Sequence, residues 1–127
     1  MLTIARKVSI MEIVRYGNNK TRKLCSDSKQ AKKVLGELVA EKLFAALNFI
    51  ESASTLNDVA CFPTYHLHQL SGDKKDLFAM DLGRKLGFRL IIKPDSPLNR
   101  EEDKLDFNSK CSVVKCIIVL EVSNHYE

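Results

Sequence analysis

Nowhere in the 127 residues does an apolar run approach the roughly 18 residues that a membrane span needs. The N-terminal stretch carries Arg6 and Lys7, but no long apolar segment follows them, so it makes a poor secretory signal. Both absences predict a cytoplasmic protein with no membrane partner. Cysteine is sparse: Cys25, Cys61, Cys111 and Cys116 show neither CxxC pairing nor the density of a disulfide scaffold. Buried or idle thiols in a reducing compartment are expected from them, and no zinc site. A phosphate-cradling glycine loop, a serine-nucleophile elbow, a metal-ligand series, internal repeats and low-complexity segments are missing as well. No metal and no cofactor are therefore expected.

What is present suits one globular domain. Hydrophobic residues make up 45% and charged residues 28%, too apolar for disorder and enough for a real core at this length. The net charge of +4 is unevenly spread. Residues 1–50 hold ten Lys and Arg against four Asp and Glu; residues 51–127 hold ten against twelve. A basic half can attract a phosphate backbone or an acidic partner, and it can equally be a solvated helix face.

Along the chain, β-branched and aromatic content over residues 11–16 predicts a short strand. Gly17-Asn18-Asn19 ends it and offers a helix N-cap, and a short helix is expected over 20–25. Ser26-Asp27-Ser28 reads as a break with a second cap. From 28 to about 52, Ala31, Leu35, Leu38, Val39, Leu43, Ala46, Leu47 and Ile50 recur at three- and four-residue steps. That spacing gives one wide apolar helix face, with Gly36 marking a kink or a boundary. A turn of helix at 56–59 and strands over 65–70, 77–82 and 88–93 follow, joined by short turns that favour antiparallel pairing. Residues 94–110 read as a long, polar, solvated loop. Residues 112–122 are the most apolar strand, expected inside the sheet and buried on both faces. The predicted architecture is α+β: two N-terminal helices packed on one face of a four- to five-stranded, mostly antiparallel sheet. One domain is expected over 11–127, with 1–10 an extension of doubtful structural role.

The segment His68-Gln-Leu-Ser-Gly72-Asp73-Lys74-Lys75, a strand, and then Gly87-Phe88-Arg89-Leu90-Ile91-Ile92 resembles a hairpin-and-strand pattern of one family. It is similar to the His-x-Leu-x-Gly-Asp-basic hairpin and aromatic-Arg-hydrophobic strand of the RelE/ParE superfamily of toxin–antitoxin toxins. Asn124-His125-Tyr126 stands where HigB-like members carry an acid–tyrosine–histidine group. Ser71 replaces a lysine usual in that hairpin, Asp76 replaces a common glycine, and the terminal imidazole and aromatic are in swapped order. The resemblance implies a RelE/ParE-like fold and a toxin held inactive by a cognate antitoxin, a helix-turn-helix protein. Toxins of the RelE and HigB kind are ribosome-dependent mRNA endoribonucleases; ParE members share the fold but poison DNA gyrase by protein binding. A catalytically degenerate relative that only binds antitoxin is the third expectation.

Cleavage of RNA through its own 2′-hydroxyl needs a base, cations around the phosphate and an acid for the leaving 5′-oxygen, and it requires no metal. Arg89 suits the phosphate because guanidinium is planar and always charged. His68 and His125 are the titratable candidates, and Tyr126 could stack on a base or donate a proton. Lys74 and Lys75 could hold the RNA backbone. His66 shares a strand face with His68 by the two-residue period but has no motif behind it.

Overall fold

The computed structural model describes residues 10–74 and 76–124. Strand β1 (Glu12–Tyr16) is followed by helices α1 (Asn19–Ser26), α2 (Ser28–Leu35), α3 (Glu37–Ser52) and α4 (Leu56–Ala60). Strands β2 (His68–Gln69), β3 (Phe78–Asp81) and β4 (Phe88–Pro94) come next. Two short helices, α5 (Arg100–Asp103) and α6 (Phe107–Ser112), precede strand β5 (Cys116–Asn124). The five strands form one mixed sheet in the order β1-β5-β4-β3-β2. The β1–β5 pair is parallel and the other pairings are antiparallel. The protein is thus α+β. Among the described residues no helix is long and apolar enough to cross a membrane.

The N-terminal helices begin where side-chain oxygens replace missing backbone acceptors. Asn18 accepts from the Thr21 N–H, and Asp27 accepts from the N–H groups of Lys29 and Gln30. The expected long helix is divided at Gly36, whose backbone at φ 89°, ψ 158° belongs to a region that is essentially glycine's own. Three helices therefore stand where two were expected. The break also re-phases the apolar face. Val39, Ala40, Leu43, Ala46, Leu47 and Ile50 of α3 are buried, whereas Leu38, expected in the core, is 53% exposed and Leu35 is only half-buried. Ala31, Leu43 and Ile50 are fully buried as expected.

The core lies between these helices and one face of the sheet. Phe78 and Met80 of β3, Leu90 and Ile92 of β4, and Ile117 and Val119 of β5 meet Leu43, Leu47, Ile50, Leu56 and Val59. Each such buried side chain contributes about 1.5–3 kcal/mol relative to exposure. Met11 belongs to this core, and its N–H donates to the Ala53 carbonyl at 2.8 Å. Ile10 is exposed, and the rest of the extension lies outside the described residues. Gly17 lets β1 approach β5: a Cβ there would sit 2.5 Å from the Leu120 carbonyl oxygen.

Two expected segments differ. The strand expected over 65–70 shrinks to His68–Gln69, because a 3-10 turn at Pro63–Tyr65 ends on His66 in the left-handed conformation. The stretch 94–110, expected as a solvated loop, holds α5 and α6. Asn99 and Glu102 form a capping box, Asp106 accepts from Ser109 N–H, and α6 buries Cys111 while Phe107 packs against the core. Consequently β5 starts at Cys116, later than the expected 112. It runs between β1 and β4, with Ile117, Ile118 and Val119 buried as expected for an interior strand.

Candidate functional site

Alternation along the strands puts a second set of residues on the face away from the core cluster. Register aligns His68 with Ala79 across β2–β3, Asp81 with Arg89 across β3–β4, and Arg89 with Ser123 across β4–β5. His68, Asp81 and Arg89 therefore share one face at the same end of the sheet. Ala79, Ile91 and Ile118 supply its buried apolar floor.

Arg89 Nη1 lies 3.4 Å from His68 Nε2, while His68 Nδ1 lies 2.8 Å from the His66 carbonyl oxygen. Those two neighbours fix the imidazole. A carbonyl oxygen can only accept, so Nδ1 carries the hydrogen; a guanidinium can only donate, so Nε2 presents its lone pair. In that tautomer the bare nitrogen of His68 is turned to a permanent cation. The Arg89 contact is long for a hydrogen bond and easily exchanged for a better acceptor. Among the described residues no carboxylate forms an ion pair with Arg89, and its buried Nε has no hydrogen-bond partner.

His66, set aside in the sequence for want of a motif, belongs to this group. Its Nδ1 lies 3.4 Å from Asp81 Oδ2, and its ring centroid is 4.9 Å from that of His68. Period-two reasoning put the two histidines together, but through a strand that does not extend to residue 66. On the other side of β2, the buried Lys110 donates to Gln69 Oε1 at 3.2 Å and lies 3.7 Å from Asp103. The segment taken for a solvated loop therefore clamps the two-residue strand that carries His68.

Lys74 is exposed in the 3-10 turn Gly72–Lys74 of the β2–β3 connection, with no contact to Arg89 or His68 described. Asp73 and Asp76 are exposed beside it. His125, Tyr126 and Lys75 lie outside the described residues. Arg89 and His68 are the two sequence-named residues that come together here.

The thiols stay apart from this chemistry. Burial pushes Cys25 up to about 11 and Cys111 up to about 12, so both are protonated at neutral pH. Cys61 and Cys116 are exposed and unbridged. Among the described residues no group of three or more His, Cys, Asp or Glu side chains is placed to hold a metal ion. A cleft of about 240 Å³ lined by Pro94, Pro97, Val113 and Cys116 lies at the far end of β4 from Arg89 and contains no histidine. Comparison with family models, curated proteins and solved structures finds no match to this chain.

Proposed function

We propose that this protein is a RelE/ParE-like toxin of the HigB kind, a ribosome-dependent endoribonuclease that cleaves mRNA by attack of the RNA's own 2′-hydroxyl. The observation that carries this reading is the Arg89–His68 pair: His68 Nε2 lies 3.4 Å from the Arg89 guanidinium, which makes no ion pair among the described residues. A base beside a fixed cation is what the first step of such cleavage requires. His68 Nε2 takes the 2′-hydroxyl proton, the 2′-oxygen bonds to phosphorus, and Arg89 stabilises the charge that accumulates on the phosphoryl oxygens. The P–O5′ bond breaks, giving a 2′,3′-cyclic phosphate and a 5′-hydroxyl. His125 or Tyr126 supplies the proton to the departing 5′-oxygen; Ser123, two residues before His125, pairs with Arg89. Lys74 and Lys75 hold the flanking backbone. A co-expressed antitoxin of helix-turn-helix type silences the toxin in the cell.

A second reading is favoured by Ser71, which stands where the hairpin usually has a lysine, and by Asp76, an exposed carboxylate in the same connection. On that reading the chain poisons DNA gyrase by protein binding, without nuclease chemistry, or retains only antitoxin binding. Expression without antitoxin separates them. The nuclease reading expects growth arrest with cleaved mRNA and intact DNA, and relief of arrest by Arg89→Ala. Broken chromosomal DNA with intact mRNA would transfer the assignment to gyrase.

A further inference from the structure

We propose that His66 is a positioning residue: anchored by Asp81, it holds the His68 imidazole in one tautomer and at one angle beside Arg89. The strand that carries His68 is two residues long, so the β ladder alone restrains it little. His66 adopts φ 42°, ψ 50°, the one described residue other than glycine with a positive φ. Side chains with a Cβ seldom occupy that region, and such strain persists where surrounding contacts over-determine it.

Two contacts do so here. The His66 N–H closes the 3-10 turn onto the Pro63 carbonyl at 3.1 Å, and the His66 ring reaches Asp81, whose side chain is only 11% exposed. The left-handed turn directs the His66 carbonyl at His68 Nδ1, 2.8 Å away. The His66 ring meanwhile lies against the His68 ring at 34° between planes. One residue therefore supplies both the acceptor that selects the Nδ1–H tautomer and a wall that limits ring rotation. If the left-handed turn relaxes, the residue-66 carbonyl no longer meets Nδ1, His68 can move its hydrogen to Nε2, and the nitrogen facing Arg89 then has no lone pair to offer.

The positioning is a property of the fold; only its consequence for RNA cleavage rests on the function proposed above. Nitrogen-15 NMR of the full chain reads it directly, and three histidines allow assignment by substitution. The wild type should show His68 with a pyrrole-type Nδ1 and a pyridine-type Nε2. His66→Ala should lose that single pattern and give a tautomer mixture. His66→Asn should keep most of it, because asparagine tolerates the left-handed region and its amide can still bond Asp81. Asp81→Asn should shift His68 in the same direction as His66→Ala. If the amide fingerprint shows that His66→Ala does not fold, the asparagine variants at 66 and 81 decide. A single Nδ1–H tautomer in both His66→Ala and Asp81→Asn, or an Nε2–H tautomer in the wild type, would overturn the proposal. A tautomer change in a chain that never cleaves RNA would leave the positioning standing and remove the nuclease reading instead.

Discussion

The two faces of a single sheet carry opposite chemistry on alternate residues of the same strands. On β4, Leu90 and Ile92 enter the helix-covered core, while Arg89, Ile91 and Lys93 alternate onto the other face. On β3, Phe78 and Met80 face the core, and Ala79 and Asp81 face the histidines. The covered face is almost wholly apolar, with the Lys110–Gln69 hydrogen bond at its β2 edge. On the open face, at the end where β3 leaves and β4 begins, Arg89, His66, His68 and Asp81 are held by specific contacts beside a small apolar floor. The first face makes the fold; the second uses it as a plate that sets the spacing of those groups.

That contrast can be broken by substitution. Ile50→Ala removes a fully buried side chain from the covered layer and should lower unfolding free energy by about 2–5 kcal/mol in urea titration. Arg89→Ala, on the open face, should change it by no more than about 1 kcal/mol, since Arg89 makes no ion pair among the described residues. Equal destabilisation by the two would show that Arg89 is a structural residue. Gly36→Ala comes next. There is open space around a Cβ at that position, so the whole cost is conformational, about 1–3 kcal/mol, and thermal melting should report it.

The role of Gly36 was readable as a break in an otherwise regular helical pattern, and the apolar steps of α3 were readable outright. The exposure of Leu38 was not, because periodicity counted straight through the glycine assumes a continuous helix. The residues of α5 and α6 were missed for a different reason. Helices of four and six residues are too short to show an apolar period, although the Asn99-x-x-Glu102 capping signal was present in the sequence. Of the site, Arg89 and His68 were legible through a family resemblance. Their juxtaposition was not, because it depends on long-range register. His66 and Lys110 act through a backbone turn and a buried clamp, neither of which leaves a sequence motif.

The C-terminal clamp offers the smaller effects. Asn99→Ala removes the capping-box acceptor of α5 and should cost about 1 kcal/mol, confined to that segment in hydrogen exchange. Asp106 caps α6, and its hydrogen bonds from Ser109 hold its carboxyl below the usual carboxylate range. A group depressed in the folded state contributes stability that is present above its unfolded pKa and lost as pH falls through the folded one. Asp106→Asn should therefore lower stability slightly at neutral pH and leave it little changed at low pH, flattening the acid side of the profile, as a pH series of thermal melts would record.

The open face as a catalytic plate is tested most directly by the chemistry of RNA ends. Purified protein is added to translating ribosomes on a defined message, and the fragments are analysed for their termini. The expected products carry 2′,3′-cyclic phosphate and 5′-hydroxyl ends. Arg89→Ala should slow their appearance by about a hundred- to a thousand-fold with melting temperature nearly unchanged, and His68→Ala should slow it as well. Cleavage at wild-type rate by both variants, or no cleavage by the wild type, would contradict the account.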